Sequence, residues 1–318
     1  MRNIERYDED FFNCYMAHVL SYFKHIDIQI ELVLFKCMEP ALRIYRSFIE
    51  LERDRWHFRS PFFDLGLLGA RGVTEFIPTF DEAKPAMLRQ LERGKVLFVT
   101  GDGYYIPHRL ETYNKFKQAH NMMITGYRET DNGAQWYVED HNRHPDFFGY
   151  YDEEIIRSFY DLAEYEYAHF INYFEFDDKQ LVEPDTKRIY AQFTEYFDMY
   201  VDDFSTLERF ADELAAHDQD LTALPGGLEL YERTFFFIAS SRELFRRFAV
   251  AMKLGDQLEE LLKQSIAQAF AVRAQIMRGN VTKKLNTAKV RESCRQLREA
   301  EEAILRLIQR EHPFAWNF

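Results

Sequence analysis

Three cysteines, ten histidines and 53 acidic side chains give the chain the means for nucleophilic chemistry, but only one cysteine stands where its surroundings would help it. Cys14 follows Asn13, a good N-cap residue, inside DEDFFNCYMAHVLSYF (8–23). A helix N-terminus aims unpaired backbone amides at such a sulfur and favours its thiolate. Cys37, in LVLFKCMEP, has no such lead-in, and Cys294 lies among charges in RESCRQL. A cysteine nucleophile also needs a base and a group that orients the base. His120 opens HNMMITGY and Asp140 closes QWYVED, with a hairpin signal, Asn132-Gly133, between them. Pairing of those strands brings the start of one beside the end of the other, and His120 beside Asp140. Taken singly, Cys14 reads as a small core hydrophobe, His120 as a core histidine and Asp140 as a turn residue. Together they are the Cys–His–Asp set of a papain-type arrangement.

The elements that must position these side chains can be read from periodicity. Phe12, Met16, Val19, Leu20 and Phe23 recur at helical spacing, so a helix is expected over 12–23. Ile26, Ile28, Ile30, Leu32 and Leu34 alternate, which predicts a strand over 26–34. A helix is expected over 81–93, ending at Gly94, then strands at 96–100, 121–127 and 134–140. From about 151 the pattern turns helical, with helices expected at 152–175, 185–215, 228–253, 255–278 and 285–311. The clearest break in this half is LTALPGG at 221–227. The expected class is α+β, with a catalytic region at 1–150 and a mainly helical region at 151–318.

At 318 residues, 47 % hydrophobic and 29 % charged, the chain can bury a large core, and 30 Phe and 19 Tyr make that core unusually aromatic. A formal charge of −13 argues against nucleic acid or an anionic membrane as partner. The charged start MRNIERYDEDFF is unlike a signal peptide, and no apolar run is long enough to span a bilayer. The three scattered cysteines make neither a disulfide framework nor a CxxC metal motif. A cytoplasmic setting, with thiols kept reduced, is the expectation. Residues 151–230 carry 21 acidic against 5 basic side chains, whereas 273–299 carry 8 basic against 2 acidic. A solvated helix face explains both, but the second is also the one segment suited to an acidic partner.

The order NCYMA, then GKVLFVTGDGYYIPHRLETYNKFKQAHNMMITGY, then YVEDHN, resembles the butirosin-biosynthesis acyltransferase type of papain-like protein. The matching positions are Cys14, Asp102, Tyr104, Tyr105, Pro107, His120, Gly126, Tyr127 and Asp140, all in the first half. Two departures stand out: Gly103 separates Asp102 from Tyr104, and His108 stands where a Tyr is usual. No Gln precedes Cys14, so Asn13, Asn3 or backbone amides are the candidates for the oxyanion donor. The resemblance implies a papain-like fold and acyl transfer from the phosphopantetheine thioester of an acyl or peptidyl carrier protein to an amine. Such a reaction belongs to antibiotic or other thiotemplated biosynthesis, and the chain itself would bind no cofactor. Cys14 would carry the acyl group, His120 would move protons and Asp140 would fix the imidazole. Asp102, Tyr104, Tyr105 and His108 would line the substrate site, with Asp102 a candidate for meeting a cationic amine.

Other readings stand beside this one. The same triad serves a cysteine peptidase or amidase, and a non-catalytic binding or assembly protein could keep the fold. The cluster Asp140 to His144, with His108, matches no strong zinc spacing, and GDG at 101–103 is too short to cradle phosphate. The helical half reads as a scaffold, a homo-oligomer interface or a carrier-docking surface, with Lys283, Lys284 and Arg291 as candidate docking residues.

Overall fold

The computed structural model describes residues 4–7, 11–53, 58, 62–141, 146–166, 168–177, 184–217, 220–224 and 227–312. It divides into two compact units, one of residues 1–30 and 65–184, the other of 31–64 and 185–318. The expected boundary at 150/151 therefore differs from this division. Residues 151–184 still belong with the sheet, and 31–64 pack with the helices.

The first unit starts with α1 (Cys14–His25), capped by Asn13, whose side chain accepts from the Met16 N–H at 2.9 Å. Next come β1 (Ala70–Phe76), α2 (Phe80–Glu92), β2 (Leu97–Asp102), β3 (Ala119–Thr130) and β4 (Gly133–Asp140). β5 (Phe147–Asp152), α3 (Glu153–Asp161) and β6 (Phe170–Phe176) complete it. The strands form one antiparallel sheet in the order β1-β6-β2-β3-β4-β5.

β2 is covered on both faces. Leu97 and Val99 join Phe80, Met87, Ile156 and Phe159 in the core under α2 and α3. Phe98 points the other way, where its ring meets Tyr22 of α1 at 5.9 Å. Phe23 of α1 lies edge-on to Phe174 of β6 at 4.8 Å. Gly101 is obligatory, since a Cβ there would sit 2.2 Å from the Phe159 carbonyl oxygen of α3.

The second unit opens with a 3₁₀ segment at 30–37 and short helical turns at 41–50. Its main helices are α4 (Thr186–Asp198), α5 (Ser205–Ala216), α6 (Gly227–Ala251), α7 (Asp256–Thr282) and α8 (Thr287–Glu311). At its centre the fully buried Arg242 donates to Glu301 at 2.6 Å and to the Glu39 carbonyl at 2.5 Å.

Three expected elements take another form. The alternating stretch 26–34 is no strand: Ile30, Leu32, Val33, Leu34 and Phe35 are all buried, as a 3₁₀ turn wrapped on all sides permits. The span 152–175 is α3 followed by β6, because Ile171, Tyr173 and Phe174 serve a sheet with both faces covered. The span 185–215 is two helices, α4 and α5, parted at 199–204. No helix among the described residues is long and apolar enough to cross a membrane.

Candidate active site

The hairpin of β3 and β4 carries the central pair. Thr130 pairs with Gly133, which takes φ 117°, so Asp131 and Asn132 form the turn. The register shifts between Ile124 and Gly126, leaving Thr125 as the extra residue of a β-bulge. That bulge decides the site. With no extra residue Asp140 would oppose position 123 and face away from His120. With it, Asp140 falls opposite position 122 and becomes a diagonal same-face neighbour of His120. His120 Nε2 lies 2.5 Å from Asp140 Oδ2, and both residues are buried, at 3 % and 2 % exposure.

Asp140 serves more than one imidazole. His108 Nε2 approaches the same Oδ2 at 2.8 Å, and His18 Nε2 lies 3.3 Å from Oδ1. Burial opposes ionisation of Asp140, but the attraction of His120 and hydrogen bonds from His108, His120 and His18 outweigh it and hold the carboxyl well below the usual carboxylate range. An ionised carboxylate only accepts, so the Nε2 atoms of His120 and His108 both carry their protons toward it. Neutral His120 is then left with Nδ1 as its basic nitrogen. Burial pushes the His120 pKa down to about 4, against the pull of Asp140.

Cys14 sits half-buried at the first turn of α1. Burial pushes its thiol up from the ordinary value and Asp140 adds to this, while the backbone N–H of Asn121 and the Arg109 guanidinium act the other way. Burial thus favours the thiol form of Cys14 and the neutral form of His120. Asn121, the residue after His120, brings α1 and the sheet together. Its Nδ2 donates to Thr100 Oγ1 at 3.0 Å and its Oδ1 meets His18 Nδ1 at 3.2 Å. His18 in turn accepts the His141 backbone N–H on Nε2 at 3.2 Å.

The remaining expected site residues have mixed placements. Asn13 is the α1 cap: its side-chain Oδ1 accepts the Met16 N–H at 2.9 Å and its backbone carbonyl accepts the Ala17 N–H at 2.9 Å. Asp102 is fully buried and anchors the loop after β2, accepting from Tyr104 N and Gln118 N at 3.0 and 3.1 Å. Its Oδ1 is thus a turn-former, while its Oδ2 is buried with no hydrogen-bond partner among the described residues. Tyr104 and Tyr105 are half-buried and meet edge to face at 5.0 Å. Arg291 is engaged by Asp212 at 3.2 Å, whereas Lys283 and Lys284 are exposed at the turn after α7 and have no ion pair among the described residues. Asn3, the acidic run 8–10 and residues 142–144 of the Asp140–His144 cluster lie outside the described residues. No group of three or more His, Cys, Asp or Glu side chains among the described residues is arranged to hold a metal ion.

Sequence reasoning passed over His18, Asn121 and Arg109. His18 was visible in one respect: it stands four residues after Cys14, hence on the same helix face. Asn121 and Arg109 carry no such signal, since strand pairing and a loop bring them in.

The chain is similar to a transferase. Over 310 residues, 96 % of this chain and 98 % of the relative, it is 24 % identical to the ribostamycin:4-(gamma-L-glutamylamino)-(S)-2-hydroxybutanoyl-[BtrI acyl-carrier protein] 4-(gamma-L-glutamylamino)-(S)-2-hydroxybutanoate transferase of Niallia circulans. The similarity runs through both compact units, not through the sheet unit alone. No family model matches the chain.

Proposed function

We propose that the chain is a cysteine-dependent acyltransferase, an amide synthase that takes an acyl group from a carrier-protein thioester and delivers it to an amine. The observation that carries this reading is the buried His120–Asp140 pair, 2.5 Å apart, held on a hairpin in the same unit as a cysteine at a helix N-terminus. A helix bearing the nucleophile against an antiparallel sheet bearing the base and its carboxylate supports a papain-like arrangement. Similarity to a relative named for transfer from an acyl-carrier protein supports the donor class, antibiotic biosynthesis as the setting, and a phosphopantetheine arm as the group that delivers the thioester.

The chemistry follows from the charge state. His120 takes the Cys14 proton as the sulfur attacks the thioester carbonyl, since both groups rest uncharged. The tetrahedral centre collapses, the C–S bond to the carrier breaks, and the proton passes from His120 to the departing carrier thiolate. An amine then attacks the Cys14 thioester, His120 accepts a proton from its nitrogen, and the Cys14 sulfur leaves and regains a proton from His120. Asp140 holds the imidazole in the tautomer that this needs and stabilises its cationic form. Tyr104 and Tyr105 supply an aromatic wall that keeps water from the acyl-enzyme. Lys283 and Lys284 offer the carrier a basic contact on the helical unit.

The test is replacement of Cys14 by Ala and by Ser, with amide product followed from a carrier-bound donor. Both variants are expected to lose amide formation by at least about 1,000-fold. Unchanged turnover in Cys14→Ala would overturn the reading. A wild-type enzyme that consumes the thioester but gives only free acid would favour a hydrolase.

A further inference from the structure

A general base needs one carboxylate to orient it, yet Asp140 is shared. His108 is fixed as firmly as His120. Its Nε2 meets Asp140 Oδ2 at 2.8 Å, its Nδ1 meets the Tyr151 hydroxyl at 2.7 Å, and its side chain is 9 % exposed. Its ring stacks on Phe147 of β5 at 4.4 Å with 2° between the planes, and Phe147 stacks on Tyr151 at 4.6 Å. The Tyr151 hydroxyl also receives the His108 backbone N–H at 3.3 Å. Its own proton is therefore directed at Nδ1, which keeps the His108 proton on Nε2, facing the carboxylate.

We propose that His108 is a positioning residue that shares Asp140 Oδ2 with His120 and so weakens that carboxylate's hold on a proton at His120, restraining thiolate formation at Cys14 between turnovers. The inference rests on the reading of Cys14 as nucleophile and His120 as its base. An N–H donated to a carboxylate oxygen disperses its charge and weakens what remains for a second donor on that oxygen. Each state of His108 acts in the same direction, because a neutral N–H drains Asp140 and a cation would also repel a proton on His120.

Other charged and titratable groups also face this site. Arg109, from the same loop as His108, opposes a proton on His120 and favours thiolate at Cys14. His18 from α1 touches the other oxygen, Oδ1, and does not compete for Oδ2. His141, next along the chain from Asp140, gives its backbone N–H to His18, and Glu139 turns to Thr125 and the Ile4 N–H. Of the three imidazoles at Asp140, His108 and His120 meet on the same oxygen. The consequence is restraint: a cysteine kept as thiol resists oxidation and stray electrophiles, and becomes nucleophilic when a thioester is in place to take the electron pair.

The test is the rate at which iodoacetamide alkylates Cys14, followed by peptide mass across a pH series in the full chain. His108→Phe keeps the stack on Phe147 and removes the N–H, whereas His108→Gln keeps an N–H for Asp140. The Phe variant is expected to alkylate about 10-fold faster than wild type near pH 7, a shift of about one pH unit in the profile, and the Gln variant to stay within about twofold. Superimposed Phe and wild-type profiles, or an equal rise in the Gln variant, would overturn the inference. If the Phe variant does not fold, His108→Leu, which also lacks the N–H, must shift the profile in the same direction, and an unshifted profile overturns the proposal. A Cys14 that alkylates as expected but accepts no acyl group from any carrier thioester counts against the acyltransferase reading and leaves the role of His108 standing.

Discussion

At the residue scale the site is organised around one buried carboxylate. Asp140→Asn removes the carboxylate charge and one of the two oxygens of the group that accepts from the His120 and His108 imidazoles, on which the proposed role of His120 as base depends. Acyl transfer to Cys14 should fall by about 100-fold or more while the thiol stays present by titration, and a loss under about threefold would contradict that role. The buried imidazole also sets a pH dependence of stability. His120 has a pKa of about 4 in the folded chain against 6.5 as the ordinary value, so between these the unfolded chain binds a proton that the folded chain does not. Stability is therefore whole above about pH 6.5 and is lost as pH falls toward about 4, by up to about 3 kcal/mol from this group. His141, also lowered to about 4 chiefly by burial, acts over the same window. Urea midpoints measured from pH 7 to 5 should fall less steeply in His120→Gln than in wild type, and equal slopes would count against the burial argument. Cys14, His120 and Asp140 were legible because each stands beside a local signal: an N-cap, a strand start, a strand end. His108 was legible only through a resemblance, as a substrate residue, and its contact with Asp140 comes from a loop whose path no local pattern dictates.

At the element scale the hairpin matters more than its turn. Asn132-Gly133 announced it, but the bulge at Thr125 is what turns His120 and Asp140 to one side, and no turn or propensity signal marks it in NMMITGY. Deleting Thr125 should abolish Cys14 acylation, because Asp140 then faces the other side of the sheet. Thr125→Val, which keeps the residue count and removes only the 2.9 Å bond to Glu139, should retain activity within about 10-fold. Equal loss in both variants would mean that the hydroxyl, not the register, is what counts. Gly101→Ala offers a second check on how β2 is held. The Cβ would meet the Phe159 carbonyl, so unfolding free energy should drop by about 2 kcal/mol or more, read as a shift in urea midpoint. The misread elements share one cause. Alternation at 26–34 suits a strand with one wet face and the spacing at 152–175 suits one long helix, whereas Ile30 and 32–35 are buried together and β6 is covered on both faces.

At the scale of the whole molecule, each unit has its own means of holding together. In the sheet unit it is an aromatic core; in the helical unit it includes a buried charge, Arg242, satisfied by Glu301 and the Glu39 carbonyl. The helical periods from 227 onward were legible because long helices repeat their pattern many times; the assignment of 31–64 to this unit was not, since it depends on long-range packing. The basic segment is less basic than its composition: Arg273, Arg291, Arg295 and Arg298 are engaged by Glu232, Asp212, Glu292, Glu299, Glu208 and Glu302. What remains is centred on Lys283 and Lys284. Reversing both to Glu should raise KM for a carrier-bound donor by about 10-fold and leave turnover of a small thioester unchanged; equal losses with both donors would refute docking there. The most direct test of the account is the intact mass of the protein after incubation with an acyl-carrier thioester. The account predicts a single acyl adduct that maps to Cys14, is absent from Cys14→Ala, and is discharged as amide when an amine is added. An adduct elsewhere, or no adduct while amide still forms, would contradict it.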